Sequence, residues 1–202
     1  IDMVVLAVAA LAAGVLYGIL GSESLIVDEI VSHRDLVLYL LMFCVGISIG
    51  LHRGILRKLR EYNLRIFLIP LGVVAGSLAG GAVCSFLTPY SMGETMAMAS
   101  GLGWYSLAGV TVSNMAGAQA GSVAFLSNLM REIFSFFWIG WIARHLNYAS
   151  CIAIAGATSE DTTLPMIMRY CNEETVVLAV INGVVCSSLV PILISFCFQA
   201  FG

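Results

Sequence analysis

Residues 155–165 read AGATSEDTTLP and carry two adjacent acids between apolar flanks that are each too short to cross a bilayer. A second stretch, residues 127–134 (SNLMREIF), places an Arg–Glu pair near the middle of a long apolar run. In a bilayer one central Arg or Asp costs about 2.5–3.5 kcal/mol on translocon scales. A membrane protein that keeps such charges at depth is expected to use them on something charged.

Composition indicates an integral membrane protein. Hydrophobic residues make up 60% of the chain and charged residues 10%, and the mean hydropathy is +0.98. An average soluble domain is about 25% charged. So little polar surface cannot keep a domain of 202 residues dispersed in water. The net charge of −3 and the lack of a basic array argue against a nucleic-acid partner and leave the lipid bilayer as the expected surrounding.

Five apolar runs qualify as spanning helices by length and composition. They are residues 3–20, 36–51, 66–87, 118–143 and 176–201. The first lacks a basic segment and a small-residue cleavage site, which favours a spanning helix over a signal peptide. Two further runs, residues 95–112 and 151–168, are apolar but interrupted by small and polar residues.

The basic loop at residues 52–65 carries five Arg and Lys residues, so the positive-inside rule makes it cytoplasmic. If residues 95–112 cross the bilayer fully, Arg144 falls outside. If they enter and return on the same side, Arg144 and Arg169 are cytoplasmic and the C-terminus is outside. The positive-inside rule favours this second, re-entrant arrangement.

The predicted fold is an all-α integral membrane protein: five spanning helices plus two broken, re-entrant segments in a single transmembrane domain over residues 1–202. Residues 66–112 and 118–168 then form two units, each a helix followed by a dip, and the dips enter from opposite sides. Inverted repeats with paired broken segments are a recurrent transporter design, with the substrate site near the bilayer midplane. The argument is topological, because the two units share negligible sequence identity.

The first break is predicted at residues 100–109 (SGLGWYSLAG), where glycines lower helix propensity and allow close backbone approach. Aromatic faces there can meet a cation or an apolar stem. Close helix packing through small residues is the alternative interpretation. The candidate site residues in this break are Gly101, Gly103, Trp104, Tyr105 and Ser106.

The second break is predicted at residues 156–165, where six consecutive hydroxyl or acid side chains stand before Pro165. Non-helical backbone at membrane depth is tolerated only where protein or a watery cavity surrounds it. A cytoplasmic loop between two short helices is the alternative. The candidate site residues in this break are Thr158, Ser159, Glu160 and Asp161.

The charged helix at residues 118–143 contributes three further candidates. Asn128 and Glu132 are four residues apart and share a face, whereas Arg131 points about 100° away. A self-neutralising pair of Arg131 and Glu132 is the alternative, but adjacent helical residues do not face each other. We therefore predict that Arg131 pairs with Asp161 or Glu160, which leaves Glu132 for a ligand or a proton.

A carboxyl group in a low dielectric holds its proton more tightly than in water. It can keep the proton until a cationic substrate displaces it, which is the minimum chemistry of a proton-coupled cation antiporter. An enzyme is not expected, because the three histidines lie in predicted loops and no HExxH motif is present. The six scattered cysteines form no CxxC pair, so we expect no metal and no cofactor. A channel stays open, since polar broken segments also line pores.

Several stretches resemble the LysO lysine exporter family. They are residues 98–109 (MASGLGWYSLAG), 121–132 (GSVAFLSNLMRE), 156–165 (GATSEDTTLP) and 188–196 (SLVPILISF). The resemblance implies a secondary active exporter of L-lysine, and of analogues such as thialysine, that exchanges them for protons across the bacterial cytoplasmic membrane. It maps the essential membrane acids of the family onto Glu132 and Asp161.

Full-length members of that family carry further helices upstream of the stretches matched here. The resemblance therefore implies a separate small membrane subunit, a homodimer or a self-sufficient shorter protein. Trp104 and Tyr105 are expected to flank the aliphatic stem of lysine. The alternative class is a channel or a non-transporting membrane subunit that needs a partner chain.

Overall fold

The computed structural model describes residues 67–202 continuously, together with residues 9, 12–14, 16–20, 29, 33, 36, 40, 43 and 47. The chain divides into two compact units, Ile1–Arg53 and Gly54–Gly202. The described residues of the first unit are helical except for His33, which lies in a turn. Most of the predicted spanning helix at residues 36–51, the whole basic loop at 52–65 and half of residues 3–20 lie outside the described residues.

The described part of the second unit is entirely helical, without strands. Its helices are α1 (Leu68–Ser85), α2 (Met92–Ala99), α3 (Tyr105–Ala116), α4 (Ala118–His145), α5 (Tyr148–Ala155), α6 (Leu164–Tyr170) and α7 (Glu173–Phe201), with a 3₁₀ turn at Gly156–Glu160 between α5 and α6. Two of these, α1 and α7, are long and apolar enough to cross a membrane by length and composition. Helix α4, with 28 residues, is longer than α1 and nearly as long as α7, but it carries Arg131 and Glu132 at its middle.

Helices α2 and α3 form a hairpin that lies against α1 and the first half of α4. The side chain of Ser91 and the carboxylate of Glu94 close a capping box that begins α2. Gly117, with a φ of +89°, reverses the chain between α3 and α4. The two helices then pack closely, since a Cβ at Gly121 would overlap Ser113 and one at Gly109 would lie 2.9 Å from the Cβ of Phe125. We call the pair α2 and α3 hairpin 1. Its base is the end at which α2 begins and α3 ends.

Helices α5 and α6 form hairpin 2, which lies against the second half of α4. The Asn147 side chain caps α5, and Pro165 stands in the first turn of α6, where a missing N–H costs nothing. The thiol of Cys151 contacts the carbonyl oxygen of Ile139, and the ring of Tyr170 lies against Gly140. Because hairpin 1 packs on the beginning of α4 and hairpin 2 on its end, the two hairpins enter from opposite ends of this helix.

Helix α7 runs along both hairpins. Asn182 near its middle bonds to Gly156 of hairpin 2. Further along, Cys197 contacts Ser100 of hairpin 1, and the terminal Gly202 lies against Gly93 at the base of that hairpin. The C-terminal end of α7 is thus at the base of hairpin 1, at the opposite end from hairpin 2.

The helix boundaries lie within a few residues of those expected, with one clear difference. The first break occupies residues 100–104 and ends five residues earlier than predicted, so Ser106 and Gly109 belong to α3. Packing explains this, because Gly109 is the point where α3 meets Phe125 and the backbone of Gly121. A glycine that looked like a helix breaker is a close-contact residue in the hairpin.

Candidate functional site

The turns of the two hairpins meet at the middle of α4. Tip 1 is the turn at residues 100–104, and tip 2 is the turn at residues 156–163. The N–H of Ala157 donates to the carbonyl oxygen of Leu102 over 2.9 Å. Gly156 has a φ of +65°, and a Cβ there would overlap that same carbonyl oxygen. The two tips therefore touch backbone to backbone, and only glycine fits at the contact.

Asn128 of α4 holds tip 1. Its amide nitrogen donates to the carbonyl oxygens of Met98 and Ala124, both over 2.8 Å, and its amide oxygen accepts the N–H of Gly103 over 2.9 Å. Gly101 leaves room for this side chain, because a Cβ there would lie 2.6 Å from it. Asn128 was predicted to bind substrate or a proton, and in the structure its amide group makes hydrogen bonds to protein backbone.

Arg131 of α4 holds the end of α5 that leads into tip 2. Its guanidinium donates to the carbonyl oxygens of Ala153 and Ile154, over 3.3 and 3.4 Å, and to the Ser77 hydroxyl of α1 over 2.8 Å. A cation here stabilises the negative end of the α5 dipole and its unpaired carbonyl groups. The predicted pairing of Arg131 with Asp161 or Glu160 is wrong, because the guanidinium is directed to α1 and the end of α5.

Helix α7 holds tip 2 from the other side. Asn182 donates to the carbonyl oxygen of Gly156 over 2.9 Å and to the Ser159 hydroxyl over 3.1 Å. The Ser159 hydroxyl in turn donates to the carbonyl oxygen of Ala179. Glu160 accepts a hydrogen bond of 2.9 Å from Ser187. Its backbone packs against Gly183, and a Cβ on Gly183 would overlap Glu160. Ser159 and Glu160 are thus engaged in joining tip 2 to α7.

Glu132 differs from these neighbours. Its side chain is 1% exposed, and neither carboxylate oxygen has a hydrogen-bond partner in the part of the chain that the structure describes. It lies one turn beyond Asn128 on the same face of α4, the face that is turned towards the tips. A buried polar group without a partner is rare and costly, so this carboxylate requires an explanation.

Three side chains surround this carboxylate. The hydroxyl of Tyr105 and the carboxylate of Asp161 lie within electrostatic reach of Glu132, and the hydroxyl of Thr162 lies close to its carboxylate without hydrogen-bond geometry. Asp161 is exposed, and one of its oxygens accepts hydrogen bonds from the backbone and hydroxyl of Thr162. The ring of Tyr105 is held edge to face by Phe125, with 5.2 Å between the ring centres. Three of the predicted site residues, Glu132, Asp161 and Tyr105, thus lie near one another from α4, tip 2 and α3.

The remaining predicted residues have mixed positions. Thr158 is buried and bonds to the carbonyl oxygen of Ala155 within tip 2. Trp104 and Ser106 are half-buried on either side of Tyr105. Gly103, with a φ of +101°, turns tip 1 beside Thr158 and Arg131.

Asn182 and Ser77 were not predicted as site residues. Each is one of a few polar side chains in a mainly apolar helix, and such residues also serve ordinary helix packing in membranes. The sequence signal for Asn182 was an amide side chain within the apolar run at residues 176–201.

An apolar cavity of about 340 Å³ lies between α1, α2 and α4. Arg131, Asn128 and Ser77 line it, but Glu132 and Asp161 do not. Its mainly apolar wall does not suit a ligand with several charges, so we place the candidate site at Glu132. Among the described residues no group of His, Cys, Asp or Glu side chains converges to hold a metal ion.

The sequence pattern of the lysine exporter LysO family matches residues 8–198. Over 162 residues the chain is 36% identical to lysine exporter LysO of Escherichia coli K12, covering 80% of this chain and 54% of that protein. Over 167 residues it is also 36% identical to a putative lysine exporter of Haemophilus influenzae Rd, covering 82% and 83%. No solved structure matches the chain. The chain spans about half the length of the Escherichia coli relative, and it belongs to the lysine exporter LysO family.

Proposed function

We propose that this chain exports L-lysine in exchange for protons, and that Glu132 and Asp161 are the groups that bind them. The observation that carries the proposal is the Glu132 carboxylate, buried in the middle of α4 without a hydrogen-bond partner among the described residues. An isolated charge in such a place costs several kcal/mol. The carboxylate therefore needs a proton or a bound cation. A single carboxylate holds one or the other, because protonation removes the negative charge that binds the cation.

Proton exchange follows from this exclusion. When Glu132 carries a proton it is neutral and is tolerated in the bundle. A substrate ammonium replaces that proton, since it supplies the missing positive charge. Asp161 is exposed on tip 2 and lies within electrostatic reach of Glu132, so it offers a first contact for a cation that enters. The names of both relatives, which are lysine exporters, support lysine as this cation.

The arrangement of the hairpins supports the inverted repeat of residues 66–112 and 118–168. Each unit consists of a long helix followed by a hairpin, and the hairpins enter from opposite ends and meet at their tips. Transporters with paired broken segments bind substrate where the breaks meet. The contact between Leu102 and Ala157 is such a meeting point.

Charge supports one orientation in the bacterial cytoplasmic membrane. Arg144 and Arg169 both lie over the ring of Tyr170 at the base of hairpin 2, at 5.9 and 5.5 Å from its centre. Ile69, at the start of α1, packs near the same end. The positive-inside rule makes this end cytoplasmic and the C-terminus external.

The test is reconstitution of the full chain in liposomes that contain a pH-sensitive dye. A lysine gradient should move protons in the opposite direction, and the Glu132→Gln and Asp161→Asn variants should abolish this movement. Ser122→Ala is the matched control, because Ser122 is exposed on the same helix and bonds only to Ala118 within it. Lysine flux without proton movement would favour a channel. Inert vesicles would refute export by this chain alone and indicate a partner subunit.

A further inference from the structure

Helix α3 begins at the centre of the bundle without a cap. Trp104 occupies the capping position and makes no side-chain bond to the helix, and the N–H of Tyr105 bonds back to Gly103. The next two N–H groups, of Ser106 and Leu107, meet no acceptor in the described part of the chain. A helix start left unsatisfied inside a protein calls for a partner. The positive end of the helix dipole makes a negative group the favoured one.

Glu132 provides a second, independent observation at the same place. It shares a face of α4 with Asn128, and the Asn128 side chain accepts the N–H of Gly103 just before α3 begins. Its carboxylate also lies within electrostatic reach of the side-chain hydroxyl of Tyr105, the first residue of α3. The N–H groups of Ser106 and Leu107 do not bond to the Glu132 carboxylate, since neither of its oxygens has a hydrogen-bond partner. Unused donors at the start of α3 and an unused anionic acceptor one helical turn from Asn128 thus lie in the same part of the bundle.

Donors beside an anionic acceptor match the head group of an α-amino acid, which carries a carboxylate beside an ammonium. Resting on the lysine export proposed above, we propose that the first turn of α3 binds the substrate α-carboxylate and that Glu132 binds the α-ammonium. Asp161, the exposed acid on tip 2, then receives the distal ammonium. The transporter thus requires a complete α-amino acid and rejects a simple diamine.

Binding is tested on the purified full chain in detergent by the rise of its unfolding temperature with ligand concentration. The probes are L-lysine, cadaverine, which lacks the carboxylate, and 6-aminohexanoate, which lacks the α-ammonium. Charge-assisted hydrogen bonds of this kind are worth about tenfold or more in affinity. We expect both analogues to bind at least about tenfold more weakly than lysine. Equal binding of cadaverine and lysine, or no response to lysine, would overturn the proposal.

A variant tests the carboxylate position directly. Ser106→Asp places a fixed carboxylate in the first turn of α3, so it should occupy the N–H groups and exclude the carboxylate of lysine. The affinity ratio of cadaverine to lysine should then rise by at least about tenfold. Ser106→Asn, of equal size and neutral, should keep the wild-type ratio. The same ratio in both variants would refute the assignment.

The two proposals fail separately. Lysine that stabilises the chain in detergent while vesicles stay inert would leave the head-group assignment standing and refute transport by the chain alone. Lysine-driven proton movement that cadaverine drives equally well would support export and refute the assignment.

Discussion

Replacing Gly156 by alanine tests whether the contact between the two tips holds the fold together. The new Cβ would be forced into a backbone conformation with a φ of +65° and would overlap the carbonyl oxygen of Leu102. That oxygen accepts the N–H of Ala157, which is the bond that joins the two hairpins. Since both partners are backbone, no side-chain rotation can relieve the overlap.

The expected loss of stability has three contributions. Backbone strain at such a position costs about 1–3 kcal/mol. Overpacking adds about 1–3 kcal/mol. The weakened bond between Ala157 and Leu102 adds about 0.5–1.5 kcal/mol. Together they give about 2.5–7.5 kcal/mol, which corresponds to a fall in unfolding temperature of roughly 5–30 °C for a chain of this size.

Two glycines separate the contributions. Gly117 has a φ of +89°, and a Cβ added there would meet no atom within 4 Å, so Gly117→Ala carries the strain alone. Gly76 lies inside α1 with the same open space, so Gly76→Ala should leave stability unchanged or raise it by about 1 kcal/mol. A thiol-reactive fluorogenic dye reports unfolding, because Cys151, Cys186 and Cys197 are buried. If Gly156→Ala unfolds at the same temperature as Gly117→Ala, the overlap with tip 1 has no energetic weight.

Three further predictions use the same unfolding assay or the same thiols. Asn128→Ala loses the bonds to both sides of tip 1 and should lower the unfolding temperature by roughly 5–15 °C, whereas Ser122→Ala should lower it by no more than about 2 °C. Glu132→Gln should leave the unfolding temperature within about 2 °C of wild type, because its carboxylate has no hydrogen bond in the described structure to lose. A large drop would mean that Glu132 is structural. The thiols of Cys151 and Cys171 are close enough to interact, so mild oxidation of the folded chain should remove two of the thiols that maleimide labels after denaturation, and Cys171→Ser should prevent this loss.

The helical segments were predictable because their signals are local. Apolar runs of the right length, Asn147 before α5 and Pro165 at the start of α6 all act through nearby backbone. Both breaks were also predictable, since glycine and hydroxyl residues interrupt apolar runs only at a cost in helix propensity. The extent of the first break was not, because the contact of Gly109 with Phe125 decides it.

The hydrogen-bond partners of the polar residues could not be predicted from the sequence. Arg131 needed an opposite partner, and an acid was the natural choice from composition alone. The carbonyl groups at the end of α5 became available only through the fold, which brings Ala153 and Ile154 within reach. The same holds for Asn182, whose importance depends on where tip 2 lies along α7. Glu132 as a candidate followed from its depth alone, but its lack of a partner required the structure.

The bond from Asn182 to Gly156 also has a consequence for biosynthesis. Asn182 is synthesised after the whole of hairpin 2. The Gly156 carbonyl and the Ser159 hydroxyl therefore lack this hydrogen-bond partner while the chain leaves the ribosome. Until α7 inserts, the polar side chains of tip 2 lack their partners from that helix. Insertion of α7, Glu173–Phe201, therefore completes the surroundings of tip 2, and a nascent chain stalled before Asn182 should be a target for membrane quality control.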